Sequence, residues 1–164
     1  MRIDLKDVFQ SDGFEKRFET QVDLSKLEIR GGFPLATPVM IEGQARNQNM
    51  VVNLQYRVRA AFVTFCDRCL DETLQEIDYS FSHILAASDT EDETGEMITV
   101  YDFRLDLEEL AREDVLLQIP SKMLCSEDCA GLCPKCGQNL NHKRCGCETR
   151  EIDPRWTKLL IQNS

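Results

Sequence analysis

Along the first two-thirds of the chain, apolar and polar positions alternate with period two, the pattern of strands that turn one face to a core and the other to water. In "FEKRFETQVDL" the apolar side carries Phe14, Phe18, Val22 and Leu24, and the charged residues fall mostly on the other side. A second run, "PVMIEGQARN", and a third, "MVVNLQYRVRAAFVTF", are separated by "NQN", which suits a tight turn between antiparallel strands. The third run sets Val52, Leu54, Tyr56, Val58 and Ala60 against Asn53, Gln55, Arg57 and Arg59, then ends at "CDRC". Because "LDETLQEIDYSFSHIL" resumes an extended pattern, Cys66 and Cys69 are expected at the tip of a hairpin.

Residues 88–96, "SDTEDETGE", contain no apolar side chain and read as a solvated loop. A short strand, "MITVYDF", follows, and then the period changes. "DLEELAREDVLLQIP" places Asp106 as N-cap and Glu109 three residues on, with Leu107, Leu110, Ala111 and Val115 along one helical stripe. Pro120 ends that helix. Near the C-terminus, Asp153 can cap and Pro154 suits the first position of a short helix whose face carries Trp156, Leu159 and Leu160.

These elements predict an α+β protein, with a small antiparallel β-sheet or open barrel, one mid-chain helix, a cysteine-rich zinc-binding loop and a short C-terminal helix. The expected division is a strand-rich domain over residues 1–120 that ends in the helix, and a cysteine-rich zinc-binding module over 121–164 packed on it.

Composition narrows the function. The chain of 164 residues, 42% hydrophobic, is long enough to bury a core without staples. It has no long apolar run, and "MRIDLKDVFQSDGF" has charges where a secretory signal needs an apolar stretch, so a cytoplasmic protein with no membrane contact is expected. The net charge of −10 disfavours wrapping of nucleic acid by the whole surface. The charge is unevenly spread: residues 121–164 hold seven Lys and Arg against five Asp and Glu, and the other 120 residues hold twelve against twenty-four.

That basic minority surrounds the cysteines. "CSEDCAGLCPKCGQNLNHKRCGC" puts Cys125, Cys129, Cys133, Cys136, Cys145 and Cys147 within 23 residues. In a reducing compartment such a cluster points to metal or reactive thiols before disulfides. "CPKCG" is the firmest element, since two thiolates two residues apart grip one ion and the glycine lets the backbone turn its amides toward sulfur. Zinc needs four ligands, so Cys133 and Cys136 require two more, expected one from each flank, with His142 a weaker substitute. One ion would use four of the six; two ions would use all eight by recruiting Cys66 and Cys69. A dithiol switch and an iron–sulfur cluster are the competing chemistries, although a thioredoxin-like pair belongs at a helix start after a strand.

No hydrolytic constellation stands out. His83, inside "YSFSHIL", reads as structural or surface, and "RGGF" lacks the helix and lysine of a phosphate loop. No small-molecule substrate is expected.

The order "CDRCL", "DLEELAREDVLLQIP", "LCSEDCAGLCPKCGQNLNHKRCGC" and "EIDPRWTKL" resembles the bacterial and plastid YceD family, named for large-subunit ribosomal RNA accumulation, over roughly residues 49 to 160. Cys66 and Cys69 match its hairpin pair, the six clustered cysteines the fullest form of its C-terminal cluster, and Asp153, Pro154 and Arg155 its terminal motif. The resemblance implies a non-enzymatic role in accumulation, processing or assembly of the large ribosomal subunit and its 23S rRNA. An acidic chain in that role would meet a basic ribosomal protein or assembly factor, or grip RNA locally through Lys143, Arg144, Arg150 and Arg155 and the run Arg57, Arg59 and Arg68. A zinc-ribbon protein acting by direct RNA contact and a thiol-based redox protein are the alternatives.

Overall fold

The computed structural model describes residues 1–35, 38–88 and 96–147. The expected C-terminal helix, with Asp153, Pro154 and Trp156, lies outside them, as does most of the acidic loop. The fold is α+β. Its elements run β1 (Arg2–Asp4), α1 (Lys6–Gln10), β2 (Glu15–Val22), β3 (Val39–Gln48), β4 (Val51–Phe65), β5 (Glu72–Ala87), β6 (Met97–Val100), β7 (Arg104–Asp106) and α2 (Leu107–Gln118). Strands β2 to β6 lie side by side in sequence order as a curled half-barrel, and β1 pairs with β7. By contact density the chain forms two compact units, Met1–Thr64 with Leu74–Ser121, and Phe65–Thr73 with Lys122–Ser164.

In the first unit the period-two pattern maps onto burial. Val52, Leu54, Tyr56 and Val58 of β4 are buried, as are Val39, Ile41 and Ala45 of β3, while Gln55, Arg57 and Arg59 face water. Phe14 departs from the pattern: it precedes β2 and stays 41% exposed. The first hairpin turns on Asn49 and Met50, with Gln48 opposite Val51 and both turn residues at positive φ (54° and 64°), slightly later than "NQN" suggests. Asn47 is a buried strand residue instead. Its Nδ2 donates to Val8 O at 2.8 Å, tying β3 to α1, a helix too short to leave a periodic signal. Strand β6 runs parallel to β5, Ile84 opposite Met97, so the sheet has one parallel edge besides the antiparallel pairs expected.

Helix α2 forms where the stripe predicts. Leu107, Leu110, Ala111 and Val115 are buried, and Asp106 Oδ1 accepts the Glu109 N–H at 3.5 Å. Loss of that cap in Asp106→Ala is expected to lower stability by about 1 kcal/mol, read as a shift of the urea midpoint without a change in slope. Asp114, also on the buried side, meets the sheet: its Oδ2 accepts the Tyr56 hydroxyl and lies 2.7 Å from His83 Nε2. Burial, reinforced by the Asp114 carboxylate, holds the Tyr56 hydroxyl well above its ordinary range. His83 is thus a partner of a buried carboxylate, in keeping with a structural role. Among the described residues no helix is long and apolar enough to cross a membrane.

Candidate metal centres

The second unit begins where β4 ends. The Cys66 N–H bonds Asp71 O at 2.9 Å, and the Leu70 N–H returns to Cys66 O at 2.9 Å, closing a tight turn with Leu70 at a φ of 62°. "CPKCG" repeats this geometry: the Gly137 N–H bonds Cys133 O at 2.9 Å, with Gly137 at 71°. Glycine adopts that left-handed conformation without steric cost; leucine incurs about 1–2 kcal/mol. "CDRCL" is therefore a second knuckle of the same shape, with a leucine where the recognisable glycine would stand.

The two knuckles seed two separate groups. Cys66, Cys69, Cys125 and Cys129 form one, and Cys133, Cys136, Cys145 and Cys147 the other; within each, the sulfurs lie within 4.8 Å of one another. Each group could hold a metal ion. A tetrahedron with metal–sulfur distances near 2.3 Å has edges of about 3.8 Å. The Cys66–Cys129 and Cys69–Cys125 sulfurs are 3.8 and 3.6 Å apart, which fits such edges and is far beyond a disulfide bond of about 2.05 Å. The second group takes both Cys145 and Cys147, across a single glycine, rather than one partner from each flank of "CPKC". His142 belongs to neither group; its Nε2 lies 3.2 Å from Asp71 Oδ2.

The segments carrying the first group are locked together by polar contacts. Arg68, between the two hairpin cysteines, donates through Nη1 to Glu127 O and Cys129 O, both at 3.0 Å, and its own carbonyl accepts the Leu132 N–H at 3.0 Å. A Cβ on Gly131 would come within 3.0 Å of that carbonyl, so the close approach there suits glycine. Asp67 Oδ2 accepts the Met123 N–H at 2.7 Å, and Asn139 Nδ2 donates to Asp71 Oδ2 at 2.8 Å. Asp71 is partly desolvated, yet the bonds from Asn139 and His142 hold its carboxyl below the usual range. None of these supporting residues is marked by cysteine spacing; the only cue is that amides and carboxylates fall between the cysteines.

Crowded thiols share protons unequally. The N–H groups of Cys136 and Lys135 bring the Cys133 thiol down to about 6. Desolvation opposes the same change at Cys66, but the N–H groups of Cys125, Arg68 and Cys69 bring that thiol to about 6 as well. Cys147 is pushed up to about 12 by its neighbours Cys136 and Cys145. At Cys69 the Asp71 amide pulls downward, but desolvation and the three other sulfurs carry the thiol up to about 12. A bound ion must displace the protons that Cys69 and Cys147 keep at neutral pH, so affinity falls as pH falls. Below about pH 6, Cys66 and Cys133 take up protons too. A chelator competition series from pH 8 to pH 5 is therefore expected to show weakening throughout, steepest below 6.

The expected contact residues divide. Lys143 and Arg144 are exposed in the second unit, and Arg150 and Arg155 lie outside the described residues. Arg57 pairs with Asp78 at 2.6 Å and Arg59 with Glu42 at 2.9 Å, while Arg68 braces the first cysteine group.

The family described as large ribosomal RNA subunit accumulation protein YceD matches residues 54–160. An uncharacterised protein of Mycobacterium tuberculosis is 36% identical over 107 residues, 63% of this chain and 51% of that protein. The chloroplastic large ribosomal RNA subunit accumulation protein YCED homolog 1 of Arabidopsis thaliana is 26% identical over 157 residues, covering 77% of this chain and 49% of that one. The uncharacterised protein YlbN of Bacillus subtilis is 23% identical over 145 residues, 87% of this chain and 84% of its own. The chain thus spans about half the length of the mycobacterial and plant relatives. No solved structure matches.

Proposed function

The chain belongs to the YceD family, and from that premise we propose that it is a non-enzymatic factor in accumulation, processing or assembly of the large ribosomal subunit and its 23S rRNA. It works in the cytoplasm, where that subunit is assembled. The observation that carries the reading is the family match over residues 54–160, which takes in both cysteine groups. Four thiolates in a tetrahedral arrangement suit zinc, whose closed four-sulfur sites are structural. Two such ions, one on Cys66, Cys69, Cys125 and Cys129 and one on Cys133, Cys136, Cys145 and Cys147, hold the second unit in its fold. The same occupancy leaves no cysteine pair for thiol redox chemistry.

The partner is a large-subunit precursor. Net charge of −10 favours a basic ribosomal protein or assembly factor against the acidic surface. The second reading, direct contact with 23S rRNA, draws on exposed Lys143 and Arg144 together with Arg150 and Arg155. Depletion of the protein is expected to lower mature 23S rRNA and free large subunits while 16S rRNA holds steady; unchanged 23S levels would refute the assignment. Binding of purified protein to 23S fragments across a salt series separates the partners. A slope of several contacts means RNA is gripped directly, and absence of binding leaves a basic protein as the target.

A further inference from the structure

Residues 137–144 connect Cys136 to Cys145, so metal in the second group would close them as a loop tethered at both ends. Several of their side-chain hydrogen bonds reach the first group and its supports. Asn141 Nδ2 lies 3.2 Å from Cys129 Sγ, and Asn141 Oδ1 accepts the Ala130 N–H at 2.7 Å. The second bond fixes the orientation of the amide, because the flipped form would turn an oxygen toward the thiolate and an NH2 toward an N–H. The loop is positioned in turn by the Leu140 N–H to Gly131 O at 2.9 Å, the Asn141 N–H to Asn139 Oδ1 at 3.0 Å and the Asn139 bond to Asp71.

We infer that Asn141 is a positioning residue for the first metal site, orienting Cys129 by an N–H···S bond, and that this makes the first site's hold on its ion depend on occupancy of the second. The inference rests on the metal reading above. An N–H donor to a coordinating sulfur fixes its direction and offsets part of its charge, and loss of such a support typically weakens metal binding about 10–100-fold. With the second group empty, the loop is no longer tied at Cys145 and Cys147, and ordering the Asn141 amide against Cys129 costs more chain entropy.

Cobalt(II), whose thiolate charge-transfer bands report each site, is titrated into the full chain against a chelator. Wild type is expected to bind in two steps, and Cys125→Ser to lack the step that belongs to the first site. Asn141→Asp keeps an acceptor for the Ala130 N–H but sets a carboxylate against the thiolate. It should weaken the step that belongs to the first site about 10–100-fold, and the step of the second site by less, through the lost coupling alone. Asn141→Leu should weaken the same step, and Cys136→Ser should show a single step at that weakened affinity. If Asn141 served only to hold the loop through Ala130, Asn141→Asp would bind as wild type does, and the inference would fail. It would also fail if both steps weakened alike, or if Cys136→Ser kept the wild-type affinity at the first site. Wild type that takes up no cobalt at all would overturn the metal reading itself, before any variant is compared.

Discussion

Serine at position 133 is expected to reduce bound metal from two ions per chain to one. Cys133 is buried, sits at the head of its knuckle and has its thiol brought down to about 6 by the N–H groups of Cys136 and Lys135, so it is well prepared as a thiolate ligand. A serine hydroxyl titrates far above neutral pH and offers a harder, shorter donor, which leaves three sulfurs around the ion and an open position. The Cys133 N–H to Gln138 O bond at 2.8 Å and the bridge of Leu132 to Asn139 close the same ribbon. Loss of the ion should therefore raise amide exchange over residues 131–140. Cys129→Ser should remove the other ion instead. Elemental analysis of both variants reads the outcome, and two ions retained by Cys133→Ser would refute the assignment of that ligand.

Gly43→Ala is expected to destabilise the first unit by about 3 kcal/mol, the upper end of the usual range for overpacking. Gly43 stands in β3 with Phe18 opposite on β2 and Tyr56 opposite on β4. A Cβ there would come within 2.5 Å of Gln55 O, 2.5 Å of Tyr56 Cβ and 2.8 Å of Phe18 Cζ. The Phe18 ring can swing aside, but the first two contacts are backbone and the root of a buried side chain, so the strands themselves must part. Tyr56 also donates to Asp114, and a shift of β4 would disturb that buried bond to α2. The midpoint of urea unfolding, with its slope unchanged, measures the cost. A variant as stable as wild type would mean that the close crossing of three strands over Gly43 is not present in solution.

The elements that could be read from the chain are those whose burial follows a simple period. Alternation marked β4 because one of its faces meets a core and the other water, and the stripe from Leu107 to Val115 marked α2 because its Asp106 cap is local. Helix α1 carried no signal, having five residues and being fixed by Asn47, a contact 39 positions away. The role of Gly43 was equally silent, since only strand register places Phe18 and Tyr56 over it.

All eight cysteines were candidates from their number and spacing, but their partition was not. It depends on Leu70 adopting the left-handed turn that Gly137 adopts openly, and on the 133–136 knuckle folding against residues 138–140 so that Cys145 and Cys147 return to it. Arg68 looked like part of a basic run because its two carbonyl acceptors, Glu127 and Cys129, lie some sixty residues away along the chain.

Native mass spectrometry of the purified chain, followed by alkylation under native conditions, tests the two-site account most directly. The account predicts a mass increased by two zinc ions less the protons of the coordinated thiols, with no cysteine modified until a chelator is added and all eight modified afterwards. A metal-free mass with rapidly alkylated thiols, or a single ion with four cysteines open to modification, would contradict it.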